Sequence, residues 1–238
     1  MEEKVRYLRC EKRWVFAMLI FVAGFYGGYT LCVRGGVFCN GQTGNIALLG
    51  VALGGGNWKK ALYYLIPISS YLLGCMVSEI IPRHVRRLGL RWDTLLTLIE
   101  ILVVAVMGFI PATAPHQICQ VTINFICAMQ YNTFRQAEGI SMATTFCANH
   151  LRMFGISLSQ IMNRNKRTKE AVERVMVHGM MMGCFIIGAV GAAALSLVLG
   201  VRAIWLALIP LVILAADLLW ADLVTEKDML QVSPHGHE

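Results

Sequence analysis

The stretch from Trp14 to Val33, WVFAMLIFVAGFYGGYTLCV, contains no charged residue. Wound as an α-helix at about 1.5 Å per residue, it spans about 30 Å, the thickness of the hydrocarbon core of a bilayer. It is longer than the apolar region of a cleavable signal and no small-residue cleavage pattern follows it, so it reads as a first membrane span. Working outward, further apolar stretches run roughly over residues 61–81, 93–112, 116–135, 175–199 and 203–223. The expected fold is all-α: a polytopic membrane helix bundle of six spans. It forms a single integral domain over residues 1–238, with residues 224–238 as a short polar tail.

Composition points the same way. Of 238 residues, 57% are hydrophobic and 15% charged, and the mean hydropathy is +0.60. A soluble domain of this size needs more charge to cover its surface. The formal net charge of +7 sits in short loops beside helices, which is a topology signal and not a nucleic-acid surface. The lipid bilayer is therefore the expected partner, with no nucleic acid and no cofactor. Cys10, Cys32, Cys39, Cys75, Cys119, Cys127, Cys147 and Cys184 form no CxxC pair, and they read as small packing residues. His235 and His237 read as part of the polar terminus, not as metal ligands. No HExxH, GxSxG or recognisable Cys–His motif occurs, so enzymatic activity is not expected.

Two segments look helical but short for a crossing. One runs from about Thr43 to Gly54 before the Gly54-Gly55-Gly56 breaker, the other from about Asn149 to Asn163. The excess of Lys and Arg on cytoplasmic loops decides whether they cross. If both return to the side they enter from, three segments face the cytoplasm. These carry Lys4, Arg6, Arg9, Lys12 and Arg13; Arg83, Arg86, Arg87 and Arg91; and Arg164, Lys166, Arg167, Lys169 and Arg174. The outer side then keeps only Arg34, Lys59, Lys60 and Arg202. Both termini are cytoplasmic in this arrangement. Two readings of the short helices stay open, re-entrant or interfacial.

Shifting the chain by 105 residues lays Ala23 on Ala128, Tyr26 on Tyr131, Tyr29 on Phe134 and Gly50 on Gly155. Each half reads long helix, Gly- or Thr-rich loop, short helix, long helix, long helix, giving repeats of about 14–113 and 116–223. Three crossings per half is an odd number, so the second copy is inverted, a plan shared with transporters and channels. Broken helices survive at membrane depth only inside protein or against water. Their N-termini offer free N–H groups to an anion or polar solute. Thr43 and Asn45 are expected to cap the first short helix, and Thr144, Thr145 or Asn149 the second.

Ionisable residues within spans are functional candidates because they are costly there. Glu100 and Asp217 are the candidates for ion coupling, with a structural ion pair or hydrogen bond as the alternative. Arg135 and Arg152 are candidate counter-charges for a cytoplasmic-side acidic vestibule that also holds Glu79 and Asp222. Gly24 with Gly28, and Gly179 with Gly183, have the GxxxG spacing that lets helices approach closely, within the chain or in a homo-oligomer. Internal packing is the expectation.

The stretch Gly35-Gly36-Val37-Phe38-Cys39-Asn40-Gly41-Gln42-Thr43-Gly44-Asn45-Ile46-Ala47-Leu48-Leu49-Gly50 resembles the signature of the YoaK family of bacterial multi-pass membrane proteins, a domain of unknown function. Gly24–Thr30, Gln130–Arg135 and Thr144–Cys147 also resemble it. Where that family has a Thr-Gly-Asn-like triplet in the second copy, this chain has Ala148-Asn149-His150 before Leu151-Arg152. The resemblance implies a bacterial inner-membrane protein and supplies no substrate.

A permease or channel for a small polar or anionic solute is the leading functional expectation. Its candidate contacts are Asn40, Gln42, Thr43, Gly44, Asn45, Gln130, Asn132, Arg135, Asn149, His150 and Arg152. The alternative is a non-transporting membrane scaffold, or a protein that binds lipid or a partner.

Overall fold

The computed structural model of the chain describes residues 7–82, 89–163 and 167–237. Of the basic residues used for topology, Lys4, Arg6, Arg83, Arg86, Arg87, Arg164 and Lys166 lie outside the described residues. The helices are α1 (Arg13–Val33), α2 (Thr43–Gly54), α3 (Trp58–Ile80), α4 (Trp92–Met107), α5 (His116–Thr133), α6 (Ala148–Met162), α7 (Lys169–Leu199) and α8 (Leu208–Trp220). Three described helical stretches are long and apolar enough to cross a membrane: Arg13–Val33, Trp58–Ile80 and Lys169–Thr225. The last breaks at Gly200, whose φ of +55° suits a residue without a Cβ. A 3₁₀ segment, Gly200–Ala207, then leads into α8.

Side-chain contacts fix the direction of each helix against α1, the most enclosed of them. Arg91 reaches Cys10, Tyr26 bonds Glu100 and Arg34 bonds Ile110, so α4 runs parallel to α1. Gln120 bonds the Arg34 carbonyl and Gln130 that of Leu19, so α5 is antiparallel. Ser70 meets Val121 and Ser78 meets Asn132, which lays α3 parallel to α5. Arg13 pairs with Glu173 and Gly24 faces Phe185, which makes α7 parallel to α1. Tyr29 bonds Val201 while Arg9 bonds Asp217, so α8 returns antiparallel. Helices α1, α3, α4, α5, α7 and α8 thus alternate in direction. The end that carries Arg9 is termed proximal and the opposite end distal.

The closest contact is α1 against α7. A Cβ at Gly24 would overlap the backbone carbonyl of Phe185, one at Gly188 that of Phe21, and one at Gly28 would lie 2.7 Å from the carbonyl oxygen of Ala189. Gly24 and Gly28 therefore pack inside the chain, as small residues at this spacing allow. Their partner is Gly188, whereas a Cβ on Gly183 would meet nothing within 4 Å. The small-residue stripe that opens with Gly179 and Gly183 and continues through Gly188, Gly191 and Ala192 thus meets α1 through Gly188 and Ala192, while a Cβ on Gly179 would lie 3.3 Å from the Phe154 ring of α6. On α3, a Cβ at Gly74 would lie 2.5 Å from the Phe125 carbonyl oxygen and 2.8 Å from the Ala128 Cβ of α5.

Two apolar clusters fill the bundle. The proximal one joins Leu19 and Ile20 to Leu96, Met181 and Leu214. The distal one joins Tyr26 and Tyr29 to Val104, Ile123, Ala203 and Leu211. The outer surface is apolar too. Val51 is 73% exposed and Leu197 89%, a pattern that lipid contact explains and water contact does not.

A small hairpin stands where sequence patterning shows only a loop. Gln136–Ala137 pairs antiparallel with Ile140–Ser141 across Glu138 and Gly139, which have φ of +48° and +82°. Two successive positive φ values are what a two-residue hairpin turn of type I′ requires. Glu138 anchors it through ion pairs with Arg13 (2.9 Å) and Lys12 (3.5 Å).

Candidate functional site

The two short helices begin at mid-depth and end at opposite ends of the bundle. After α1 ends distally, the strap 34–42 turns back along it until Asn40 donates from Nδ2 to the Ala23 carbonyl, 2.6 Å away. Helix α2 then leads to the distal start of α3. In the second half, the strap 134–147 turns back from the proximal end of α5. There Gln130 Nε2 reaches both the Thr144 carbonyl (3.3 Å) and the Leu19 carbonyl (3.5 Å). Leu19 and Ala23 are one turn apart near the middle of α1, so both straps meet the same part of it.

In neither short helix does a side chain cap the N-terminus. The residues before the first turn are Gln42 and Cys147, with no side-chain cap bond. Thr43 and Ala148 already lie inside their helices. This corrects the expected capping by Thr43, Asn45, Thr144, Thr145 or Asn149, because those residues lie one to three positions away from the N-cap positions Gln42 and Cys147. The first backbone N–H groups to bond back are those of Ile46, to Gln42, and Leu151, to Cys147, both at 2.9 Å. Residues 43–45 and 148–150 therefore have no helical acceptor, and the positive ends of both helices face the bundle centre.

A chain of side-chain amides lines this region. Gln42 donates to Asn124 Oδ1 and accepts from Asn45 Nδ2 at 3.0 Å. Asn40, Asn124, Gln130, Thr144 and Thr145 are all buried. Five of their polar atoms have no hydrogen-bond partner among the described residues: Asn40 Oδ1, Asn124 Nδ2, Gln130 Oε1, Thr144 Oγ1 and Thr145 Oγ1. Beside them Tyr26 donates to Glu100 Oε1 at 2.8 Å, with both groups enclosed. Replacing Tyr26 by Phe strands a buried carboxyl oxygen. The expected loss is about 1–3 kcal/mol, read as a lower thermal midpoint in detergent.

The remaining sequence candidates lie elsewhere. Asn132 and Arg135 sit at the proximal end. Asn132 donates to Ser78 Oγ (2.9 Å) and Glu79 (3.0 Å), and Arg135 pairs with Glu79 (2.9 Å) and bonds the Gly236 carbonyl (3.0 Å). Asp217 takes a two-pronged bond from Arg9, both contacts at 2.6 Å, which ties the N-terminal segment to α8. Thr43 and Gly44 are exposed on α2, and Arg152 is exposed on α6, bonding Asn149 at 3.3 Å. His150 faces inward and meets His178.

The polar tail is not free. His235 is hydrogen-bonded to the buried Glu11 at 2.7 Å, and His237 to the Thr133 carbonyl at 2.8 Å. Burial lowers the His237 pKa. A cavity of about 180 Å³ beneath the tail is lined by Glu79, Arg91, Trp92, Asp93, Thr133 and His237, among others.

Asn124 was not singled out from the sequence. Its signal is an amide in the middle of an apolar run, the same signal that marks Gln130. The partnership of His150 with His178 has no sequence signal, because it joins residues 28 apart on two helices.

Apolar helices with an apolar outer surface, three of the described stretches long enough to cross a bilayer, are compatible with a helical membrane protein. The chain belongs to the family described as protein of unknown function (DUF1275), which it matches over residues 15–216. No curated relative and no solved structure matches it.

Proposed function

We propose that this chain is a permease or channel for a small polar or anionic solute. The solute is held where the two straps meet α1 and α5. In this reading six helices span a bacterial cytoplasmic membrane, the proximal end with both termini faces the cytoplasm, and the two halves are inverted repeats. The alternating helix directions support it. So does the packing: α1 lies against α7 as α5 lies against α3, which is the exchange that a two-fold axis in the membrane plane makes. A shift of 105 residues carries Thr43, which opens α2, onto Ala148, which opens α6. The likeness of residues 35–50 to YoaK proteins belongs to the same reading.

One observation carries the proposal: the five unpartnered atoms on Asn40, Asn124, Gln130, Thr144 and Thr145. Buried polar atoms are normally paired, and leaving one alone costs about 1–3 kcal/mol. A solute that passes through and satisfies them in turn accounts for their retention. Thr144 is the cleanest probe, since Thr144→Val removes its hydroxyl at constant shape. In proteoliposomes, uptake by that variant is expected to fall about tenfold, equivalent to about 1.4 kcal/mol, with thermal stability unchanged or raised. A panel of polyols, amides, amino acids and small anions, none moving faster than in empty vesicles, would replace this reading with the non-transporting scaffold. Any homo-oligomer formed through a GxxxG glycine would use Gly183, since Gly24, Gly28 and Gly179 meet neighbours within the chain.

A further inference from the structure

We propose that His150 and His178 form a single-proton binding site that ties the second strap to α7. Both rings are fully buried, and their Nδ1 atoms lie 3.0 Å apart. Nε2 of His150 lies 2.7 Å from the Ala143 carbonyl oxygen. A carbonyl only accepts, so that nitrogen carries the ring's proton. A neutral imidazole has one N–H, which makes His150 Nδ1 a lone pair, and Nδ1 of His178 must be the donor to it. Nε2 of His178 is then an unprotonated acceptor, and it is buried without a partner. The hydrogen-bond network thus ends on a vacant lone pair aimed at no protein donor.

A proton added at that nitrogen breaks no existing bond. His178 becomes an imidazolium, and its Nδ1–H bond to His150 becomes charge-assisted and stronger. The Nδ1 proton can shift to His150, so one positive charge is shared by the pair. His150 is the third residue of α6, at the positive end of the helix, which keeps the charge on the His178 side. A second proton would set N–H against N–H and rupture the contact, so the site takes one proton and not two.

Few charged groups surround the pair. Arg174 lies one turn earlier on α7, and Glu173 is engaged by Arg13. Among the neighbouring apolar residues are Leu19 and Ile20 of α1, which join Val177 and Met181 in one cluster, with the Cys147 and Cys184 thiols packed against it. The strap is held by consecutive carbonyls: His150 holds that of Ala143, and Gln130 holds that of Thr144. A charge on the pair therefore acts on the segment that carries the Thr144 hydroxyl. If the solute reading above is right, on which this last step rests, the coupling ion is the proton.

The test is proton uptake by the purified protein in nanodiscs, without solute, as the pH is lowered from about 8 to 3, a range wide enough for a buried pair near the Arg174 charge. The wild type is expected to bind one more proton per chain than His178→Gln, and the double variant His150→Gln/His178→Gln to match that single variant. In His178→Gln the amide supplies the donor to His150, which stays neutral. No difference, or a difference of two protons in the double variant, overturns the site. Should the variants not fold, ¹⁵N-histidine spectra of the wild type decide: both rings shifting at one common midpoint supports it, and separate midpoints or none overturn it. Proton uptake by a protein that moves no solute upholds the site and removes only the transport reading. Solute movement without proton uptake removes only the proton site.

Discussion

Gly24→Ala and Gly188→Ala are each expected to cost about 3 kcal/mol or more, at or above the upper end of the range for overpacking. At most packed positions an added methyl meets the flexible end of a side chain, which moves aside. Here it meets the backbone carbonyl of Phe185 or of Phe21, and α1 and α7 must separate along the contact they share. That contact involves the most enclosed helix of the bundle, so the loss spreads to both apolar clusters. Thermal unfolding in detergent, followed by gel filtration, measures it. Gly183→Ala is the internal control, because an added Cβ there meets nothing within 4 Å and gains up to about 1 kcal/mol of helix propensity. Equal midpoints for Gly188→Ala and Gly183→Ala would show that the α1–α7 approach is not what holds the bundle.

The second large effect is expected at Arg34. Its side chain is fully buried, donating from Nε to the Tyr29 hydroxyl (2.8 Å), from one terminal nitrogen to the Pro111 carbonyl (3.1 Å) and from the other to Ile110 (2.7 Å). The guanidinium fork thus clamps the distal end of α1 to the connection between α4 and α5. Hydrogen bonds to a charged group contribute about 1.5–3 kcal/mol each. Arg34→Met strands all three acceptors and is expected to destabilise by about 3–5 kcal/mol. Arg34→Lys keeps the charge, but one ammonium cannot serve three acceptors held in a planar arrangement, so an intermediate loss is expected. A lysine variant as stable as the wild type would show that charge alone, and not the fork, is required. Read from the sequence, Arg34 was one of the few basic residues on the outer side. The structure corrects its surroundings: it is an interior strut, because Gly35 and Gly36, with φ of +88° and +70°, turn the chain back over it.

Which candidates gathered into a site depended on helix rotation. Asn40, Gln42, Asn45 and Gln130 share the centre because their helices and straps turn those faces toward α1. Asn149 and Arg152 stand on the opposite face of α6 from His150. A shift of a residue or two along α6 would have exchanged them, and no local property distinguishes the two faces. Asp217 looked like a charge at membrane depth, yet Arg9 from the other end of the chain covers it.

What the amino-acid order settles by itself is what depends on single segments. An uncharged run from Trp14 to Val33 has nowhere stable to go but an apolar surrounding, as a helix, since each backbone group must find its partner within the segment. The short helix after Gln42 and the breaker at Gly54–Gly56 are legible for the same local reason. The pairing of Gly188 with α1, the burial of Arg34, the hairpin at Glu138-Gly139 and the meeting of His150 with His178 were decided only by tertiary structure. Each depends on the relative depth and rotation of helices distant in sequence. Those are set by the summed packing of many side chains, and no one segment encodes them.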